Sequence, residues 1–230
     1  DGRPTVAPVF SDKLIEMFGP PRESGGELTQ RDKDIARSMQ ARLEEVYFHI
    51  LNHLHARTGL TDLCIAGGVG LNSVANGKIL NYTPFRRIYV HPAATDDGTA
   101  FGAAFFVHHA TLGNGNRQPL QHAYLGNCYT DEAIERAIVA SGFRGAVRLE
   151  DDSVYAEAAQ RIAQGKVVGW FQGRMEWGPR ALGARSIVAH PGLPDMKDTL
   201  NARIKHREWF RPFAPSILEE RAAEYFEGGT

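Results

Sequence analysis

The sequence predicts an α/β protein built in two parts, and three observations predict it. A strand-length apolar run, Leu63-Cys-Ile-Ala66, meets a glycine turn and then a helix-compatible run from Asn72 to Leu80. A second strand, Arg87-Ile-Tyr-Val90, follows and is broken at Pro92. Beyond Gly113-Asn-Gly-Asn-Arg-Gln-Pro119, which reads as a linker, the pattern starts afresh with capped helices and another strand. Strand, turn, helix and strand in that order argue for layered α/β architecture, and 230 residues suffice for one large domain or two compact pieces.

The first long element is a helix. Thr29-x-x-Asp32 opens it as a capping pattern, and Ile35, Met39, Leu43, Val46, Ile50 and Leu54 recur at three or four along one stripe. Gly59 closes it. The run from Thr99 to Leu112 is small and apolar on every side, which predicts a helix packed inside. In the second part Thr130 caps a helix through Ala140 and Ser153 caps another through Gln164, with Gly165 before the strand Lys166–Phe171. The boundary is placed near 113–120, giving domains 1–115 and 116–230. There is no internal repeat.

Charge and cysteine content narrow the function. With 26 Lys+Arg against 27 Asp+Glu the chain has no overall positive field, so no nucleic-acid partner is expected and a small-molecule partner is. Two cysteines, Cys64 and Cys128, are too few for a disulfide framework or a zinc ribbon and fit a cytoplasmic location. Asp1-Gly-Arg-Pro lacks the basic and apolar regions of a leader, and Thr99–Leu112 is too short and too rich in His to span a bilayer, so no membrane role is expected.

Four segments carry chemistry. Gly67-Gly-Val-Gly70-Leu-Asn72 lies between a strand and a helix, where glycines let the backbone approach an anion; a phosphate loop and a structural tight turn both remain open. It is neither a dinucleotide fingerprint, since Ser73 stands where a third glycine belongs, nor a Walker A loop, since Ile79 follows Lys78. Thr95-Asp96-Asp97-Gly98, at the mouth of the second strand, suits a hard cation or a substrate hydroxyl, or else an Asx turn. The third segment, Gln172 to Ser186, carries Arg174, Arg180 and Arg185 against Glu176 on a glycine-punctuated stretch, the pattern of an anion clamp. The fourth, Asn201 to Phe213, puts Arg203, Lys205, Arg207 and Arg211 against Glu208. Together these two would form a polyphosphate site, with an RNA contact as the rival reading. His49 and His53 have the i,i+4 spacing of a helical metal pair, but Ile50 stands where a zinc-protease motif needs Glu, and we reject it.

The strings Ala66-Gly-Gly-Val-Gly-Leu-Asn-Ser-Val-Ala-Asn-Gly-Lys-Ile79, Gly173-Arg-Met-Glu-Trp-Gly-Pro-Arg-Ala-Leu-Gly-Ala-Arg-Ser-Ile187 and Asn201 to Pro215 resemble the O-carbamoyltransferase family of the nodulation, cephamycin and tobramycin type, over about Thr29 to Glu220. The resemblance implies the C-terminal part of an actin-like (ASKHA) domain, similar to the tRNA threonylcarbamoyl-transferring subunit, followed by an incomplete YrdC-like α/β domain. It implies activation of carbamoyl phosphate with ATP to carbamoyl-adenylate, then transfer of the carbamoyl group to a hydroxyl of a small-molecule acceptor. The implied cofactors are ATP, Mg²⁺ and a divalent metal, iron, in the transfer domain; a homodimer is a compatible assembly. Gly67, Gly68, Gly70 and Asn72 match the nucleotide-binding turn and Asp96 the metal-binding Asp. Arg174, Arg180, Arg185, Lys205 and Arg207 fall in the two signatures of the activating domain and are the expected catalytic residues. Nothing before Thr29 resembles the family's His-x-x-x-His metal pair, so a fragment of a larger enzyme is expected. The rivals are an actin-like ATPase or sugar kinase, which shares the glycine turn but has no use for the arginine-rich signature, and an RNA-binding module.

Overall fold

The computed structural model describes residues 10–23, 25–150 and 153–227, so the leading Asp1-Gly-Arg-Pro segment lies outside the described residues. Contacts divide the chain into two compact units, Asp1–Phe106 and Val107–Thr230. Helices alternate with two small sheets, the α/β character that the sequence predicts.

In the first unit a short helix α1 (Asp12–Phe18) precedes the long helix α2 (Gln30–Thr58). The capping box forms at its start: the Thr29 side chain accepts from Asp32 N, and the Asp32 carboxylate accepts from Thr29 N at 2.9 Å. The Thr29 hydroxyl, which donates to Asp32 Oδ2 at 2.6 Å, and the Thr29 N–H together hold the Asp32 carboxyl below its ordinary range. Gly59 ends the helix in the left-handed conformation, at φ 67°.

Strands β1 (Asp62–Ile65) and β2 (Arg87–Val90) pair in parallel, Asp62 opposite Arg87 through Ile65 opposite Val90. The connection between them is short helical turns, the second and third being α3 (Ser73–Asn76) and α4 (Ile79–Tyr82), in place of the single helix expected from 72 to 80. Gly77 and Lys78 interrupt it. The core is Leu51 of α2 against Leu63, Ile65, Ile79 and Phe85, with Tyr47, Phe48, Ile88 and Val90 packed around them.

Two expectations are corrected here. The core side of α2 is the line Tyr47, Phe48 and Leu51, whereas Met39, Val46, Ile50 and Leu54 of the expected stripe are exposed. The Ile50-to-Leu54 spacing is equally regular, and only the position of the small sheet chooses which line is buried. Helix α5 (Asp97–Phe105), which runs on as a π-helical turn through Thr111, also has no buried residue, and Phe106 is 67% exposed. Being apolar on all sides shows that a helix is suited to burial; a neighbour must still be present to cover it.

The second unit holds α6 (Asp131–Ser141), capped by Thr130, and α7 (Ser153–Ala163). It continues with the antiparallel pair β3 (Val168–Phe171) and β4 (Arg185–Val188). The sequence predicts β3 but not β4, and the pairing of the two makes the arginine-rich stretch the connection of a hairpin. After these come α8 (Met196–Thr199), running into a π-helical turn at Leu200–Ile204, and a terminal turn α9 (Ala222–Tyr225). Among the described residues no helix is long and apolar enough to cross a membrane.

Candidate functional site

Each unit gathers chemistry-bearing residues of its own. In the first unit the parallel pairing sends β1 and β2 out of the same edge, and the loops after the carboxyl ends of parallel strands are where ligands bind in open α/β sheets. The glycine turn leaves β1 there and the Thr95-Asp96 segment leaves β2. They touch: Gly67 N donates to Ala94 O at 2.6 Å, and a Cβ on Gly70 would stand 3.1 Å from Ala94 Cβ. The sequence-separated first and second motifs are therefore one structural feature.

Within it the four expected nucleotide-turn residues differ in availability. Gly67, at φ 102°, and Gly68 have open space where a side chain would be. Gly70 is buried against Ala94 and Ile65, so its glycine serves close packing. Asn72 is committed twice: its Oδ1 accepts from Ala75 N at 3.0 Å, capping α3, and its Nδ2 donates to Gln40 Oε1 at 2.9 Å. Asn72→Ala is expected to lower stability by about 1–2 kcal/mol by removing a cap and an inter-element hydrogen bond; a urea midpoint shift measures it. Lys78 is occupied likewise, with both Glu44 carboxylate oxygens at 2.7 Å from its Nζ.

Asp96 is exposed at the start of α5, and its backbone carbonyl accepts from Thr99 Oγ1 at 2.6 Å. Asp97 is turned to its own loop, accepting from Thr95 Oγ1 at 2.5 Å. Among the described residues no three His, Cys, Asp or Glu side chains converge to hold a metal ion. A single carboxylate is too small a donor set, so these residues do not by themselves fit the expected iron.

In the second unit the hairpin connection from Gln172 to Ala184 is tied down along its length. Met175 N donates to Asn127 O at 3.0 Å, Gly126 N to Met175 O at 2.8 Å and Trp177 N to Ala123 O at 2.7 Å. Tyr124 Oη donates to Leu182 O at 2.8 Å. Gly178 at φ 121° and Gly183 at φ 111° make turns that other residues resist. The anchor of the loop is Glu176, which the sequence reading counted only as a charge. Its side chain is fully buried; Oε1 accepts from Leu182 N and Ala184 N, each at 2.7 Å, and Oε2 from Arg185 Nε at 2.9 Å. Burial opposes ionisation, yet Arg185 and the backbone N–H groups outweigh it and hold the carboxyl at about 2. The indole N–H of Trp177 is buried with no acceptor among the described residues.

The expected clamp arginines therefore separate. Arg185 pairs with Glu176 and reaches Gly178 O at 3.3 Å. Arg174 Nε donates to Gly126 O at 3.0 Å, and among the described residues the rest of its exposed guanidinium has no partner. Arg180, midway along the loop, is exposed.

The fourth segment closes on a residue that sequence reasoning also passed over. Asn201 is 1% exposed; its Nδ2 donates to Trp209 O and Arg211 O at 3.1 and 2.9 Å, and its Oδ1 accepts from Arg207 Nε at 2.7 Å. Arg207 also lies over the Phe213 ring at 4.5 Å, which leaves Lys205 as the exposed expected cation of this segment. The usable signal was the density of backbone-bonding residue types, Glu and Asn, among arginines on a turn-rich stretch. Two open grooves, of about 350 Å³ between α7 and β3 and about 420 Å³ along α6, contain none of the expected site residues.

Comparison with known proteins adds a separate line. Family models for the carbamoyltransferase N-terminus and the carbamoyltransferase C-terminus match residues 6–105 and 159–230. Nodulation protein NolNO of Sinorhizobium fredii is 46% identical over 208 residues, 90% of this chain and 30% of that protein. Nodulation protein NolO of Bradyrhizobium diazoefficiens is 44% identical over 207 residues, 90% of this chain and 38% of that protein. An uncharacterized protein of Synechocystis is 45% identical over 95% of this chain and 37% of its own length. The chain thus spans about a third of the curated relatives it matches.

Proposed function

Because this chain belongs to the carbamoyltransferase family, we propose that it works in ATP-dependent O-carbamoyl transfer to a small hydroxyl-bearing acceptor. In this reading the first unit is the C-terminal part of an actin-like transfer domain, and the second is the YrdC-like domain that makes carbamoyl-adenylate. Balanced, activation consumes one water: carbamoyl phosphate releases phosphate as carbamate forms, and a carbamate oxygen displaces pyrophosphate from the α-phosphorus of ATP. Several anions must be brought together, so fixed cations that lower their repulsion and meet the leaving pyrophosphate are the main requirement.

The observation that carries the reading is Arg180, an exposed guanidinium on a loop whose backbone is already held on both sides. A planar fork on a prepared loop suits a phosphate and spends little entropy on binding it. We assign Arg180, Lys205 and the uncommitted part of Arg174 as the anion-contacting groups. Gly67 and Gly68, with open space above their Cα atoms, are assigned to the nucleotide in the first unit. A metal at Asp96 would need ligands from outside the described residues.

The test uses the intact protein with ATP, carbamoyl phosphate and radiolabelled pyrophosphate. Label is expected to enter ATP only when carbamoyl phosphate is present. Exchange without it, or none with it, overturns the proposal, and γ-phosphate transfer to an acceptor would favour a kinase.

A further inference from the structure

Among the described residues Glu176 is the buried charged side chain, and its burial is unusual in what it serves. A buried ion pair contributes little net stability over an apolar pair of the same size. What a carboxylate offers in exchange is direction. Its two oxygens take Leu182 N, Ala184 N and Arg185 Nε, three donors from the far end of the same loop, and so tie the beginning of the turn to its end. Arg185 in turn reaches back to Gly178 O, closing the ring from the other side. Four residues after Glu176 and five before Arg185 stands the exposed Arg180.

We propose that Glu176 and Arg185 are a positioning pair: they hold the 177–184 turn in the conformation in which Arg180 meets a phosphate group, and Arg185 itself does not touch the anion. This rests on the reading of the loop as an anion site and departs from the expectation that all three arginines form one clamp. The Arg185 side chain is 36% exposed, yet its Nε is spent on a carboxylate that already neutralises it. A neutralised cation gives an incoming anion little attraction.

The experiment is calorimetric titration of the intact protein with inorganic pyrophosphate and, separately, with carbamoyl phosphate. The variants are Arg180→Ala, Arg185→Gln, Glu176→Gln and each of the last two combined with Arg180→Ala. Arg185→Gln and Glu176→Gln are each expected to weaken pyrophosphate binding by about tenfold, because a displaced cation loses most of its contact. In the Arg180→Ala background neither is expected to weaken it further, since both act through Arg180. An additive loss, or no loss in the single variants, overturns the proposal. If circular dichroism shows Glu176→Gln unfolded, Arg185→Gln decides alone, because it leaves the Glu176 backbone bonds in place. Wild-type protein that binds pyrophosphate but not carbamoyl phosphate refutes the carbamoyl reading and leaves the positioning pair standing; protein that binds neither refutes both.

Discussion

Glu176→Ala is expected to destabilise the second unit by about 3 kcal/mol, the largest stability effect of any single change in its loop. Truncation strands the Leu182 and Ala184 N–H groups and the Arg185 guanidinium, and it opens a void where the side chain is wholly enclosed. Arg185 is partly wetted, so the cost lies toward the lower end of the range for breaking a buried pair. The same pairing makes a pH prediction. The Glu176 carboxyl is held at about 2 against an ordinary value of 4.5, so the folded state binds this proton less readily than the unfolded chain. Its contribution to stability is complete above about pH 4.5 and is lost as pH falls toward 2. Urea titrations at pH 7 and pH 3 should show a larger acid loss for wild type than for Glu176→Gln, which has no proton to take up there. Equal acid losses would show that the carboxylate is not ionised in place.

Arg180→Ala should do the opposite: large in activity, small in stability. An exposed side chain leaves folding within about 0.5 kcal/mol of wild type. Removing a fixed donor to developing phosphate charge costs about 100-fold or more in rate. Carbamoyl-phosphate-dependent exchange of pyrophosphate into ATP is therefore expected to fall at least that far, while transfer from supplied carbamoyl-adenylate is spared. Equal loss of both half-reactions would defeat the assignment of Arg180 to activation. Arg185→Ala is expected to lose exchange and stability together, and that contrast separates a cation that meets the anion from one that shapes its loop.

How much of this was legible beforehand depends on the range of the interactions concerned. The Thr29 and Thr130 caps, the left-handed Gly59 and the strands β1, β2 and β3 follow from residues within a few positions of one another, and each is where the sequence places it. The line of α2 that is buried, and the exposure of α5, depend on partners that local periodicity does not name. Among the site residues, the arginine-rich stretch was visible as a cluster, but its residues looked equivalent. Glu176 and Asn201 remove that equivalence by taking Arg185 and Arg207 as partners.

The sequence by itself determined the family, the α/β class, the glycine turn and the two basic segments, because residue identity and spacing carry them. Only the tertiary structure decided that the turn and Asp96 share one edge of a parallel strand pair, and which of the expected cations are already taken as partners. The first is set by strand pairing and a hydrogen bond between Gly67 and Ala94, far apart in the chain, and the second by bonds across folded turns, Arg185 to Glu176 and Arg207 to Asn201; the charge of an arginine says nothing of whether its guanidinium is already bonded.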